Sequence, residues 1–212
     1  NLLFYFALQS TFYMNKDKAL ESVNEIKELM EKSSKFISIS GLAAIMAGVY
    51  ALAGTYIATC LVTPDTTLIT ALKLMIMVAI LVLAAAAVTA GILSYNKSKK
   101  LRQKFFSKLT YRALWNFSLP MLAGGIVCIS ILMHEYYDIL ASIMLLFYGL
   151  ALVNVSKFTY SSVAWLGYAF ICLGAADCFW TGHSLLFWTI GFGGFLILYG
   201  ILFYLHYERK KS

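Results

Sequence analysis

Charge is the scarcest property of this sequence. Charged side chains make up only 13% of the 212 residues, whereas 61% of the residues are hydrophobic. A soluble domain carries about a quarter charged residues, so this chain has too little polar surface to cover a water-soluble globule. The scarcity excludes a disordered chain, a disulfide-stapled secreted scaffold and an ordinary cytosolic enzyme. The class that remains is a polytopic membrane protein.

Proline, paired cysteines and catalytic motifs are also scarce or absent. Of the two prolines, Pro64 lies in a predicted turn, while Pro120 lies inside an apolar run and is expected to free a backbone carbonyl near Asn116. The four cysteines form no CxxC pair and are interpreted as small buried hydrophobic residues, with a Cys128–Cys178 disulfide as the alternative. Phosphate-binding loops, nucleophile elbows and HExxH motifs do not occur. We therefore assign no catalytic residue and no cofactor.

Six long apolar runs account for most of the chain. Counted between charged or histidine residues, each run is 18 to 29 residues long, and about 20 residues in a helix cross a bilayer. The runs are solidly apolar, whereas the strands of a membrane β-barrel alternate. We predict an all-α polytopic membrane protein with six transmembrane helices over residues 36–64, 74–96, 113–133, 139–156, 158–176 and 184–205.

Basic residues are distributed very unevenly between the two sides of this topology. One side receives 16 of the 17 Lys and Arg residues, and the other receives Lys73 alone. Because Lys and Arg collect on the cytoplasmic side of membrane proteins, both termini are predicted to be cytoplasmic. The net charge of +7 then faces an anionic inner leaflet, so the lipid bilayer is the expected partner and nucleic acid is not.

The two ends of the chain differ from the apolar runs. Residues 1–14 are apolar but lack the basic region and cleavage site of a signal peptide; we interpret them as an extension or a vector remnant, with an interfacial anchor as the alternative. Residues 15–35 carry one apolar stripe at helical spacing. They predict a cytoplasmic amphipathic helix that binds the protein's own inner face, a second copy of the chain or a cytosolic protein. The bundle then spans 36–208, and 209–212 form a basic cytoplasmic tail.

The last four runs contain an internal repeat. At an offset of 50 residues, Trp165, Gly174 and Cys178 repeat the tryptophan, glycine and cysteine of the third run, and at an offset of 51 the segment 198–201 repeats 147–150. Helices 3–4 and 5–6 are therefore predicted to be parallel copies of one hairpin, with helices 1–2 as a third copy. Such repeats occur in transporters and equally in duplicated scaffolds.

Four long segments carry a family resemblance: SSKFISISGLAAIMAGVYAL (33–52), PMLAGGIVCISIL (120–132), LLFYGLALVNVSKFT (145–159) and GHSLLFWTIGFGGFLILYGILFYLHYER (182–209). They resemble an uncharacterised family of small bacterial six-helix inner-membrane proteins. The resemblance runs from Met14 to the C-terminus and implies a multi-pass protein of a bacterial inner membrane. The family has no established activity, so the resemblance brings no catalytic residue.

Polar side chains collect at the predicted outer ends of the helices. They are His134, Glu135, Asp138, Asp177 and His183, together with Lys73. Histidine and carboxylate groups bind Zn²⁺ or Cu²⁺ and form proton-coupled gates, so these residues are the candidate site, with no metal assigned. The alternative is that polar residues collect wherever a chain emerges into water. Asp177 is the most informative, since an acid this near the apolar zone is costly against lipid, and we expect it to come within reach of His134 and His183.

The sequence favours a non-enzymatic membrane protein that transports or senses a small solute through its bundle. The alternative is a membrane scaffold or regulatory anchor that recruits a cytosolic partner through residues 15–35. A membrane-embedded enzyme acting on a lipid is less favoured. A water-accessible path from the outer polar residues toward the middle of the membrane would favour transport, and a sealed bundle would favour the scaffold.

Overall fold

The computed structural model describes residues 40–63, 66–100, 108–180 and 182–208. Within these ranges the regular structure is entirely helical. The segments 1–14, 15–35 and 209–212 lie outside the described residues, so the expectations about them remain predictions.

Six spans in the described residues are long and apolar enough to cross a membrane, which confirms the predicted number of transmembrane helices. The first five are α1 (Gly41–Leu61), α2 (Leu68–Lys100), α3 (Lys108–Met133), α4 (Leu140–Ser156) and α5 (Ser162–Phe179). A single 3₁₀ turn, Tyr137–Ile139, leads into α4. The chain therefore has the architecture of a multi-pass membrane protein.

The sixth span, α6, changes its helical form along its length. It begins as an α-helix at Ser184–Trp188, becomes π-helical over Thr189–Phe195, returns to an α-helix over Leu196–Phe203 and ends π-helical over Tyr204–Glu208. The first π segment has the sequence TIGFGGF. Its glycines weaken the preference for the α-helix, which lets the tertiary contacts on both sides decide the local form.

Helix α2 is longer than the apolar run that predicted it. The run was counted between charges, but the helix continues through Lys73 at one end and Lys97 at the other. A lysine has a long apolar stem and is a good helix former, so a charge at the edge of the membrane does not end a helix. For the same reason α3 begins at Lys108 rather than at Ala113.

The helices pack as a chain of neighbours in which α4 and α6 are central. Helix α4 packs against α3 and α5, and its first turns meet the beginning of α6; α6 packs along α1, and α1 packs against α2. Helices α2 and α3 are peripheral, since only 6% of the residues in the central stretch of each are buried. The core therefore lies among α1, α4, α5 and α6.

Two of the helix contacts need glycine because the backbones approach closely. A Cβ atom on Gly149 of α4 would lie 2.7 Å from the carbonyl oxygen of Gly167 on α5. A Cβ atom on Gly200 of α6 would lie 2.7 Å from the carbonyl oxygen of Gly41 on α1. Small residues commonly bring membrane helices together in this way, so α4 and α5 form one tight pair and α6 and α1 another.

An aromatic cluster fills the space between α4, α5 and α6. Phe170 is completely buried and its ring meets those of Tyr148 and Phe192 at centroid distances of 4.8 and 5.3 Å. Leu145, also completely buried, belongs to the same cluster. These interlocked side chains form a continuous apolar core on the inner side of the three helices.

The carbonyl freed by Pro120 has an identified partner. Proline at position 120 of α3 cannot donate to the carbonyl of Asn116. The side-chain amide of Asn154 on α4 donates to that carbonyl oxygen at 3.0 Å. The expectation of a freed carbonyl is thus met, and the proline creates a hydrogen bond between two helices.

Candidate functional site

The centre of the candidate site is the carboxylate of Asp177 on α5. Its side chain is buried, with 1% of its surface exposed. Oδ2 accepts a hydrogen bond of 2.6 Å from the hydroxyl of Ser142 on α4. The other oxygen, Oδ1, is buried and has no hydrogen-bond partner in the described structure. Asp177 therefore does not point into bulk water. The alternative that it is simply a solvated acid at a helix end does not describe its surroundings.

The two residues of this pair occupy matching places on their helices. Asp177 lies two residues before the last residue of α5, and Ser142 lies two residues after the first residue of α4. At 1.5 Å per residue, each lies about 3 Å inside its helix end. The N-terminal end of a helix dipole favours a neighbouring negative charge, and Ser142 lies in the first turn of α4. The carboxylate is thus placed within reach of that end of the bundle.

The region one helical turn inward of the Asp177–Ser142 pair is tightly packed. Gly174, one turn inward of Asp177, lets α5 lie so close to α4 that a Cβ atom there would be 3.0 Å from the backbone nitrogen of Leu146. Gly191, in the π segment of α6, is held against Leu145 and Leu173 from the other side. The carboxylate therefore sits on a junction of three helices.

The remaining candidates at this end are exposed. The Nδ1–H group of His134 donates to the carbonyl oxygen of Ser130 at 2.8 Å, and the ring stacks with Tyr136. Glu135, Asp138 and His183 are exposed as well. In the described part of the chain neither histidine hydrogen-bonds Asp177, which is paired with Ser142 instead.

Asp138 contributes through its backbone rather than its side chain. Its carbonyl oxygen accepts a hydrogen bond of 2.9 Å from the hydroxyl of Ser184, the first residue of α6. The turn before α4 is thereby tied to the start of α6. This hydrogen bond links the loop before α4 to the start of α6 at the end of the bundle that contains Asp177.

Lys73 is exposed on α2, away from this junction. It borders an open concavity of about 350 Å³ that is otherwise lined by Ile76, Met77, Ile80 and Leu81. All of these residues belong to α2, so the concavity is a feature of one helix surface. Its apolar lining fits a lysine stem lying along the helix.

Metal binding finds no support among the described residues, where no group of three His, Cys, Asp or Glu side chains could hold a metal ion. The four cysteines are all free thiols, and Cys60, Cys172 and Cys178 are exposed rather than buried. Their interpretation as small buried hydrophobic residues is therefore wrong for these three.

Ser142 is the residue of the site that the sequence did not identify. It was one of several hydroxyl residues within the apolar runs, where hydroxyl groups commonly link helices. The depth of Ser142 in the membrane could have identified it as a partner of Asp177, because the two residues lie at equal distances from helix ends on the same side of the bundle. Which helices are neighbours, however, is not encoded in any local pattern.

Comparison with protein-family models, with curated proteins and with solved structures gives no match to this chain.

Proposed function

We propose that this protein binds a small cationic solute at the Asp177 end of its bundle, as a transporter or a sensor. The observation that carries the proposal is the buried Asp177 carboxylate with one oxygen bonded to Ser142 and the other unpartnered. An ionisable group within a membrane-spanning helix is costly and usually marks an ion or solute site. A carboxylate that served only to join two helices would be expected to have both of its buried oxygens hydrogen-bonded.

The proposed orientation places this end on the extracytoplasmic side. Its support is the distribution of charge, since 16 of the 17 Lys and Arg residues fall on the opposite side. The inferred membrane is the inner membrane of a bacterium, on the strength of the family resemblance of the four long segments. Both termini are then cytoplasmic, and the candidate site faces the outside.

The proposed architecture is a set of repeated hairpins, α3–α4 and α5–α6, with α1–α2 as a third. Its support, besides the sequence offset, is that Gly149 and Gly200 occupy equivalent positions and each approaches the backbone of another helix. The exposed Trp115 and Trp165 occupy equivalent positions as well. Repeats of this kind place solute sites between their copies in transporters, and the Asp177–Ser142 pair joins the two copies.

The test uses the full chain reconstituted into liposomes, with protons, Na⁺, K⁺ and methylammonium as probes. Flux reports transport, and the emission of Trp180 and Trp188 reports binding without transport. We expect at least one probe to give flux or an emission change in the native protein and in Asp138→Asn, and the response to be lost in Asp177→Asn. Equal behaviour of the native protein and a folded Asp177→Asn protein toward every probe would overturn the proposal.

A scaffold or regulatory anchor is the second candidate, and the packed core favours it. Leu145, Ala151 and Phe170 have no exposed surface, so the three-helix junction is closed to water. In that case the amphipathic segment 15–35 would recruit a second copy or a cytosolic protein. Loss of an association on deleting 15–35, with no response to any cation, would establish this function instead.

A further inference from the structure

We propose that the ligand of the Asp177–Ser142 pair is a proton. The inference rests on the proposed function, because it names the chemical class of the solute at that site. It follows from the small number of hydrogen bonds that the carboxylate accepts, from the packing beneath it and from the number of ligand atoms that the site offers.

The carboxylate is under-bonded for a buried ionised group. An ionised carboxylate offers about four lone-pair positions to donors, and the Asp177 group uses one of them, toward the Ser142 hydroxyl. The Ser142 hydroxyl oxygen lies 2.6 Å from Oδ2, within the range of an O–H···O hydrogen bond. A buried charge with so few bonds is costly. A proton taken up at Oδ1 removes the charge and leaves the bond from Ser142 in place.

The packing around the pair leaves no room for a larger ligand. One turn inward, Gly174 brings α5 into direct contact with the backbone of α4 at Leu146. Phe170 and Leu145 close the floor and have no exposed surface. A hydrated cation or an amine that entered between α4 and α5 at this depth would have to separate the two helices, whereas a proton needs only the free lone pair on Oδ1.

The ligand atoms at the pair are also too few for a metal ion. Hard cations take six or more oxygen ligands, and the pair supplies a carboxylate and one hydroxyl. In the part of the chain that the structure describes, no group of three His, Cys, Asp or Glu side chains surrounds a common point. A single proton needs one acceptor, which is what the site offers.

Asp177 shares its end of the bundle with other titratable groups. The elements that meet at this end of the bundle are the turn after α3, the 3₁₀ turn before α4, the start of α4 and the start of α6; of these, α4 and the start of α6 contact α5. Within their described residues, none of the titratable side chains hydrogen-bonds the carboxylate; these are His134, Glu135, Tyr136, Tyr137, Asp138 and His183. Asp177 lies two residues, or about 3 Å along the helix axis, from the last residue of α5.

The experiment is infrared difference spectroscopy of the full chain in nanodiscs between pH steps. The chain contains four aspartates, so labelling aspartate with ¹³C at the carboxyl carbon shifts their bands away from those of glutamate. We expect the native protein to show a carbonyl band of a protonated, buried carboxyl that gains intensity as the pH falls. The band should shift with the aspartate label, disappear in Asp177→Asn, persist in Asp138→Asn and move in frequency in Ser142→Ala.

Three results would overturn the proton assignment. One is a band that survives in Asp177→Asn. Another is a native protein that shows no label-sensitive band at any pH at which it stays folded; this measurement needs no variant. The third is a band that responds to Na⁺ or K⁺ at constant pH, which would make a metal cation the ligand. A titrating band without any flux or emission change would support the proton site and contradict the transporter or sensor role. A flux or emission change that is lost in Asp177→Asn, without a titrating band, would support that role and contradict the proton assignment.

Discussion

Helices α2 and α5 show opposite relations between hydrophobicity and burial. Helix α2 is the most hydrophobic of the six spans, yet only 6% of the residues in its central stretch are buried; α5 is among the least hydrophobic, yet 33% of its residues there are buried. In a bilayer the lipid tails are as apolar as leucine, so large apolar side chains gain nothing by leaving the lipid. What draws helices together is close packing and hydrogen bonding.

The residues that α5 buries illustrate this difference. Two glycines, Gly167 and Gly174, bring α5 onto the backbone of α4, and Asp177 adds a hydrogen bond. On α2 the large residues Ile80 and Leu83 are exposed, and Gly91 has open space around it. The small and polar residues of a span therefore predict its contacts better than its hydrophobicity does.

The largest expected effect comes from a leucine in the core. Leu145→Ala should lower the free energy of unfolding by about 2–5 kcal/mol, because the cavity among α4, α5 and α6 cannot collapse. The matched control is Leu83→Ala on α2, where the side chain is 64% exposed and the change should stay within about 0.5 kcal/mol. Unfolding of the purified chain from lipid bicelles by a denaturing detergent measures both. Equal losses would show that lipid-facing and core leucines contribute alike and would break the comparison.

A methyl group at the contact between α4 and α5 should have the next largest effect. Gly149→Ala places a Cβ atom 2.7 Å from the carbonyl oxygen of Gly167, so the helices must separate, at about 1–3 kcal/mol. Gly91→Ala on α2 is the control, since nothing lies within 4 Å of the added atom and alanine raises helix propensity. The same unfolding assay applies. A neutral Gly149→Ala would mean that α4 and α5 do not approach as closely as described.

The Asp177–Ser142 pair should stabilise the fold only while both partners are present. Ser142→Ala removes the donor and leaves the buried carboxylate without a hydrogen bond, which should cost about 1–2 kcal/mol. Replacing both, as Ser142→Ala with Asp177→Leu, should recover part of that loss, because an apolar pair needs no partner. Unfolding of the two variants decides the matter. A double variant that is less stable than Ser142→Ala would contradict this expectation and would show that the Asp177 side chain stabilises the fold even without the Ser142 hydroxyl.

The smallest expected effect concerns the contact between α3 and α4. Asn154→Leu should cost about 1 kcal/mol or less, as interhelical hydrogen bonds in membranes do, since the Asn116 carbonyl loses its donor. In a Pro120→Ala background the restored N–H serves that carbonyl, so the same change should cost less. A double-mutant cycle on unfolding free energies measures the coupling. No coupling would indicate that another group, such as water, serves the carbonyl.

The sequence predicted the elements of the fold better than their arrangement. The six spans follow from apolar length, and the freed carbonyl near Asn116 follows from Pro120 alone, because both are local properties. Its partner Asn154 and the partner of Asp177 depend on which helices are neighbours, and that depends on close contacts such as those at Gly149 and Gly200. Asp177 itself was identified from its position in an apolar run, but its burial was not, because the depth of a helix end depends on what packs over it.

The π-helical segment Thr189–Phe195 has a consequence for the evolution of α6. Its hydrogen bonds span five residues rather than four, so each hydrogen-bonded ring encloses one residue more than in an α-helix. A chain that lost one residue in this segment could close it to an α-helix and still present Gly200 to Gly41. A deletion within Leu196–Phe203 would instead rotate every following residue by about 100° and turn the contact face of α6 away from α1. We therefore expect the segment Thr189–Phe195 to tolerate a one-residue deletion better than the α-helical stretch Leu196–Phe203 that follows it.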